Sequence, residues 1–164
     1  MHEVIIDGYN VIHADDELKS IVRTDLRRAR KELSDRIARY LKRRKIRVTL
    51  VFDGHGGLTD VDIPVPGTFQ ILYSCSGQTA DELILQILRE SRNPRAFTVV
   101  TSDMADIGRE AGAMGAEVLS SRDFLERIRE RSSPGDPASE EVDTKEDVDY
   151  WLRQFRRRRD GGDD

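Results

Sequence analysis

The 164-residue sequence contains a single cysteine, Cys75, and no long apolar run. One cysteine excludes an intrachain disulfide and a zinc site built from several cysteines, and it is typical of proteins in a reducing compartment. A membrane-spanning helix needs roughly 20 consecutive apolar residues, and no segment approaches that length. No segment has the pattern of a signal peptide. We therefore expect a cytoplasmic protein that does not contact a membrane.

Apolar residues are also scarce, at 37% of the sequence, whereas charged residues make up 35%. The apolar residues are enough for the hydrophobic core of one domain, and the many charged residues predict that part of the chain lies outside that core in solvent. The composition changes after residue 131, so we predict a domain over 1–131, a flexible acidic linker over 132–147 and a basic amphipathic helix with an acidic tail over 148–164. The helix is predicted from apolar residues at helical spacing before four arginines: Val148, Trp151, Leu152 and Phe155. Docking on the domain and binding of a partner or RNA both stay open for this helix.

Positive charge is concentrated in one segment of an otherwise acidic chain. Residues 19–47 hold thirteen Lys or Arg and three acids, whereas the rest of the chain has a balance of −14. Such a segment indicates a surface that binds a polyanion, although a charge run is also typical of a plain solvated helix.

Short apolar segments alternate with helical patterns along the first 131 residues. Runs rich in β-branched and aromatic residues predict five strands, at 4–6, 47–52, 68–73, 97–101 and 116–120. Apolar periodicity predicts helices over 24–44, after Thr79, over about 103–112 and over 121–131, with Thr24, Thr79, Ser102 and Ser121 as caps. Residues 53–67 have four glycines and two prolines and are predicted to form a long loop. The alternation predicts an α/β fold with a mainly parallel sheet and helices on both faces.

Acidic residues follow the predicted strands at the edge where parallel α/β sheets bind ligands. Asp7, Asp53 and Asp103 follow strands, Asp81 begins a helix, and Asp106 lies one turn beyond Asp103. If the first and fourth strands are neighbours, Asp7 and Asp103 emerge roughly 5 Å apart. Carboxylates that close hold either a proton or a cation, and oxygen ligands suit Mg²⁺ or Mn²⁺. Phosphodiester hydrolysis is the predicted reaction, although each acid alone could serve as a turn or helix cap.

The sequence resembles the YacP-like NYN family of ribonucleases, which lies within the PIN-like nuclease superfamily. The resemblance rests on five segments in order: VIIDGYNVI (4–12), VTLVFDG (48–54), SGQTADELI (76–84), VVTSDMADI (99–107) and GAEVLSSRDFL (115–125). It implies a three-layer PIN-like fold with a five-stranded sheet in the order 3-2-1-4-5, and RNA cleavage that depends on Mg²⁺ or Mn²⁺.

The resemblance also implies roles for individual residues. The residues that match its catalytic and metal-binding acids are Asp7, Asp81, Asp103 and Asp106. It implies that Asn10 orients the attacking water or a phosphate, and that Thr79 and Ser102 assist from helix N-termini. Leu85 is a departure, because many members carry a glutamate about four residues after the TAD aspartate.

These observations favour a metal-dependent endoribonuclease. The residues that would bind the RNA substrate are Asn10, Asp53, Thr79, Ser102, Arg27, Arg30 and Lys31. The alternative is an RNA- or ribosome-associated binding module with an impaired site, which Leu85 favours. A phosphatase with Asp7 as nucleophile is disfavoured, because such enzymes usually carry a second aspartate where this chain has Tyr9. Messenger RNA on the ribosome and structured RNA are both open as substrates, and the oligomeric state is open.

Overall fold

A computed structural model of the chain describes residues 1–42, 44–54, 60–75 and 77–130. The predicted linker over 132–147 and the predicted helix over 148–164 lie outside the described residues. Within the described part, no helix combines the length and the apolar character that crossing a membrane requires.

Six strands form one sheet at the centre of the described residues. They are β1 (His2–Asp7), β2 (Ile46–Phe52), β3 (Asp60–Val65), β4 (Phe69–Tyr73), β5 (Phe97–Val100) and β6 (Glu117–Leu119), in the order β3-β4-β2-β1-β5-β6. All neighbours are parallel except β3 and β4, which are antiparallel. β1 therefore lies between β2 and β5, and its carboxyl end is surrounded by other strand ends.

The prediction of five strands in the order 3-2-1-4-5 is wrong, because β3 adds a sixth strand at one edge. The glycines and prolines of residues 53–67 favour a loop when the sequence is considered alone. DVDIPV nevertheless alternates polar and apolar residues, which is the pattern of a strand with one solvated face. Pro64 is compatible with this position, because an edge strand does not need every backbone N–H for pairing.

Helices cover both faces of the sheet, as the alternation predicts. Those among the described residues are α1 (Gly8–Ala14), α2 (Asp16–Val22), α3 (Leu26–Leu41), α4 (Ala80–Glu90), α5 (Ile107–Ala113) and α6 (Ser121–Glu130). Apolar residues of α1, α2, α3 and α6 pack with Val4, Ile6 and Leu50 on one face. Those of α4 and α5 pack with Ile5 and Val51 on the other. Successive residues of one strand therefore pack into two separate cores, one on each face of the sheet.

The predicted start of α4 is confirmed. Thr79 accepts a hydrogen bond from the backbone N–H of Glu82, and the Glu82 carboxylate accepts one from the N–H of Thr79, which is a complete capping box. In α3, by contrast, the cap is Asp25, which accepts from the N–H of Arg28 at 3.2 Å, instead of the predicted Thr24. An aspartate is at least as good an N-cap as a threonine, so composition alone does not separate the two.

The other predicted helix boundaries need larger corrections. α5 begins at Ile107 instead of about 103, so Asp103 precedes the helix and Ser102 does not cap it. The Asp103 carboxylate instead accepts from the N–H of Asp106 at 3.0 Å, which makes a side-chain turn before the helix. At α6 the side chain that accepts from Asp123 N–H is that of Ser120, whereas Ser121 was the predicted cap. α1 and α2 were not predicted, because helices of only seven residues contain too few turns for a clear apolar periodicity.

Candidate active site

Asp7 is the last residue of β1 and also the N-cap of α1. Its carboxylate accepts a hydrogen bond from the Asn10 backbone N–H at 3.4 Å and a second from the Asn10 side-chain amide. The side chain is only 3% exposed. A buried carboxylate normally needs a charged partner, and these two neutral donors fix its direction without neutralising it.

Gly8 lets the chain turn from β1 into α1 against the ring of Phe52. A β-carbon at Gly8 would lie 2.6 Å from Cδ1 of that ring and closer still to Cε1. Because Phe52 is fully buried, its ring cannot swing away into solvent. The glycine therefore sets the position of Asp7 relative to the end of β2.

We predict that Gly8→Ala destabilises the fold by about 1–3 kcal/mol, because the added methyl group overpacks a buried contact. Urea unfolding followed by circular dichroism measures the change. The matched control is Gly112→Ala in α5, where nothing lies within 4 Å of the new β-carbon. It should be neutral or stabilising by up to about 1 kcal/mol, because alanine is the better helix former. Equal unfolding midpoints for Gly8→Ala and the wild type would show that a β-carbon against the Phe52 ring does not lower the stability of the fold.

The Asp7 and Asp81 carboxyl groups lie close enough for a hydrogen bond between them. Two carboxyl groups can share a hydrogen bond only when one of them carries a proton. Burial raises the pKa of Asp7 to about 7, and the charge of Asp81 adds to the rise, while the hydrogen bonds from Asn10 oppose it. The pKa of Asp81 is also raised, first by burial and then by the charges of Asp103, Asp53 and Asp106, against the opposing hydrogen bond with Asp7.

The remaining acids surround Asp81 at the same edge. Asp53 follows β2 and accepts a hydrogen bond from the Ala80 backbone N–H at 2.6 Å, so it also anchors the start of α4. Asp103 is half-buried and Asp106 is exposed, both in the turn after β5. The edge was thus predicted correctly. β1 and β5 are neighbours, as the expected approach of Asp7 and Asp103 requires, and the carboxyl group nearest to Asp7 among those that act on it is that of Asp81.

The side chains at this edge offer oxygen donors to the expected Mg²⁺ or Mn²⁺. Oxygen ligands are what these ions prefer, and a divalent cation could take the position between Asp7 and Asp81 that a shared proton would occupy. Among the described residues, however, no group of three or more His, Cys, Asp or Glu side chains is already arranged to hold a metal ion. The residues therefore fit a cation at the carboxylate pair, with further ligands to come from movement of nearby acids or from water.

The polar residues predicted to assist are mostly occupied by contacts within the chain. The Asn10 amide holds Asp7, so it positions the carboxylate. The Thr79 hydroxyl belongs to the capping box of α4. Ser102 is exposed beside Asp103, and its side chain remains accessible. Asn10 and Thr79 are therefore best described as residues that hold Asp7 and Asp81 in place.

The predicted basic residues all lie on α3, with different surroundings. Arg27 is exposed, and Lys31 is exposed but paired with Asp35 at 3.0 Å. Arg30 is half-buried and lies over the rings of Phe52 and Tyr73, a contact that was not predicted. The only sequence signal for that contact was the position of Tyr9 within IIDGYN, two residues after Asp7.

Leu85, where the resemblance leads us to expect a glutamate, lies one helical turn after Asp81 on α4 and is 8% exposed. It belongs to neither of the two core clusters. An apolar side chain thus occupies a place beside Asp81 where a further carboxylate would raise the negative charge of the site.

Comparisons with known proteins agree with this architecture. A sequence model of the YacP-like NYN domain matches residues 4–156. A crystal structure of Rae1 (YacP) from Bacillus subtilis, in a mutant with leucine in place of one tryptophan, is 26% identical, with a TM-score of 0.66 over 80% of this chain and 77% of that chain. The crystal structure of Rae1 (YacP) from the same organism, 22% identical, has a TM-score of 0.63 over 99% of this chain and 86% of that one, and at that identity it shows the fold alone. No curated protein matches the chain.

Proposed function

The chain belongs to the YacP-like NYN family, which has a ribonuclease-type fold, and we propose that it is a metal-dependent endoribonuclease. Its reaction would be hydrolysis of phosphodiester bonds in RNA at the carboxyl edge of the sheet. Asp7 and Asp81 would form the centre of the site, with Asp103 and Asp106 beside them.

The single observation that carries this proposal is the close approach of the buried Asp7 carboxyl group to that of half-buried Asp81. A structural role alone does not account for it, because two acids in contact repel and cost stability when both are ionised. Groups whose pKa is displaced by burial and by a neighbour of like charge are concentrated at functional sites. Asn10 and the capping box of Thr79 hold the two acids in contact in spite of that cost.

Asp7 and Asp81 would hold a Mg²⁺ or Mn²⁺ ion in place of their shared proton. When bound, the ion would supply an activated water and offset the charge that develops on the phosphate. Asp103 and Asp106 lie close enough to act on the charge of Asp81 and would complete the ligand set directly or through water. Asp53 keeps the N-terminus of α4, and with it Asp81, against the end of β2.

The protein's own charges would orient the RNA. The acidic edge repels phosphates, whereas exposed cations such as Arg27 on α3 attract them. An RNA strand would therefore lie with its backbone toward α3 and reach the acids only where a cation offsets their charge.

We expect the purified protein to cleave RNA when Mg²⁺ or Mn²⁺ is present and to lose cleavage completely when a chelator is added. The reason is that carboxylates without a cation repel both the scissile phosphate and each other. Labelled single-stranded and structured RNAs, resolved on denaturing gels over time, measure both the rate and the positions of cuts. Cleavage should return when the divalent ion is restored in excess of the chelator.

Two results would contradict the proposal. Cleavage that persists in the chelator would show that the acids do not act through a metal. Salt-sensitive RNA binding without cleavage under any divalent ion would instead favour the impaired binding module, because phosphate contacts alone give salt dependence.

A further inference from the structure

Arg30 lies on a cluster of three aromatic rings at the ends of β1, β2 and β4. Its guanidinium carbon is 5.9 Å from the centre of the Phe52 ring and 5.5 Å from that of Tyr73, and its Nη1 donates to the Tyr9 hydroxyl at 3.3 Å. The rings also contact each other: Tyr9 meets Phe52 edge-on at 5.0 Å, and Phe52 stacks on Tyr73 at 5.8 Å. Phe52 is fully buried, and the other three side chains are half-buried.

The charge of Arg30 is not neutralised by the protein. Among the side chains that the structure describes, none offers it a carboxylate within ion-pair distance. Other cations of the same helix differ in this respect: Lys31 is paired with Asp35, and Arg36 contacts three acids, Asp15, Glu17 and Glu32. Only one hydrogen bond to the described protein uses the several N–H donors of the Arg30 guanidinium. A half-buried cation of this kind keeps N–H donors for an anionic or polar partner from outside.

The aromatic cluster lies beside the acids, across the edge of the sheet. Phe52 directly precedes Asp53, and Tyr9 lies two residues after Asp7. Phe52 packs on the face covered by α3, whereas Asp7 contacts Asp81 on the face covered by α4. Neighbouring strands are only about 5 Å apart. A chain that crosses this edge can therefore contact the acids on one side and Arg30 on the other.

We propose that Arg30, Tyr9 and Tyr73 form a binding subsite for one nucleotide of a single-stranded RNA, adjacent to the phosphate that is cleaved. The proposal rests on the ribonuclease function proposed above. The outer face of the Arg30 guanidinium would stack on the base, and its unused N–H groups would donate to the neighbouring phosphate. The tyrosines would hold the plane of the guanidinium in one orientation and restrict the rotation of the Arg30 side chain.

The chemistry of the cluster favours this ligand over others. A planar guanidinium stacks on nucleobases and donates to phosphate at the same time, whereas a lysine offers only a point charge. Single-stranded RNA exposes its base faces, and stacking on protein groups tolerates any base. Paired bases in a duplex are already stacked, so the subsite should prefer single-stranded RNA.

The test is binding of a fluorescently labelled single-stranded RNA in the presence of a chelator, so that the RNA stays intact. The RNA is used intact and in a series in which one abasic nucleotide is moved step by step along the strand. For the unchanged protein, affinity should fall roughly 5- to 150-fold at one abasic position, which is the size expected for the loss of one stacked base. With Arg30→Gln, the intact RNA should bind more weakly by a similar factor, and the abasic position should no longer matter.

Two further variants separate stacking from charge and from folding. Arg30→Lys keeps the charge and should still lose sensitivity to the abasic position. Tyr9→Phe keeps the ring but removes the hydroxyl that orients Arg30, and it should show a smaller loss. The matched control is Arg92→Gln, which removes an exposed charge from the turn before β5, at the opposite edge of the sheet, and should keep the abasic effect. Thermal unfolding of each variant reports whether α3 remains packed.

The outcomes separate this proposal from the function on which it rests. Equal sensitivity to the abasic position in the unchanged protein and in Arg30→Gln would overturn the subsite, even if cleavage is normal. Loss of the abasic effect in Arg30→Gln, in a protein that never cleaves RNA, would support the subsite and overturn the nuclease proposal. No binding of single-stranded RNA by the unchanged protein in the chelator would overturn the subsite, whereas the nuclease proposal is decided by the cleavage assay with Mn²⁺.

Discussion

Asp7→Asn is expected to lower RNA cleavage by at least about 100-fold while leaving the protein folded. The amide keeps the shape of the side chain, but it cannot carry the negative charge that a divalent cation requires. Losses of 10- to 100-fold are typical even for residues that only support a metal ligand, so a ligand itself should cost more. Because the loss of cleavage acts through the ion, substrate affinity measured in the chelator should not fall.

The measurement is the rate of cleavage under saturating Mn²⁺, compared with the unfolding midpoint of the same preparation. Asp62→Asn is the matched control, because Asp62 is an exposed acid on the edge strand β3, away from the carboxyl pair. It should cleave at close to the wild-type rate. Normal cleavage by Asp7→Asn would show that Asp7 is a structural cap of α1 and no part of the reaction.

The second large effect is on stability as a function of pH in the metal-free protein. Burial raises the pKa of Asp7 to about 7 from its ordinary value of 3.8, so the folded protein retains a proton that the unfolded chain releases. The contribution of Asp7 to the free energy of unfolding is therefore greatest below about pH 4. It falls as the pH rises from about 4 to about 7. The raised pKa of Asp81 acts in the same direction. For Asp7 alone the loss of stability is about 4 kcal/mol, since one pKa unit corresponds to about 1.4 kcal/mol.

The difference between wild type and Asp7→Asn isolates this contribution from other titrating groups. Urea unfolding at a series of pH values in the chelator should show the variant gaining stability over the wild type as the pH rises through this window. Adding Mn²⁺ near pH 7 should stabilise the wild type but not the variant, because only the native pair binds the ion. Parallel pH profiles for the two proteins would mean that Asp7 does not hold a proton on folding.

The fold class and the position of the acids at the carboxyl edge of the sheet could be predicted from the sequence, because both follow from local signals. Alternating strand and helix patterns predict a parallel sheet, and an acid directly after a strand must lie at the carboxyl edge. The capping box of Thr79 and Glu82 is a reciprocal pair within four residues, so it too could be predicted. The strand β3 was missed because its proline and the glycines around it outweighed a short alternation.

What the sequence could not give was the pairing of side chains across the sheet. Asp7 contacts Asp81 because alternation along β1 turns its side chain to the face that α4 covers, and this depends on the register of two distant segments. Arg30 and Tyr73 are more than 40 positions apart, so their contact left no local pattern. Leu85 was visible as a departure from the resemblance, whereas its burial beside Asp81 depends on how α4 packs.

The central claim is that the Asp7–Asp81 pair exchanges its shared proton for a divalent cation. Calorimetric titration of Mn²⁺ at about pH 6, repeated in buffers with different ionisation enthalpies, counts the protons released on binding. The wild type should bind Mn²⁺ and release close to one proton, since pH 6 lies below the raised pKa of Asp7, and Asp7→Asn should lose both binding and release. Binding of Mn²⁺ by Asp7→Asn with unchanged affinity, or wild-type binding without proton release, would contradict the claim.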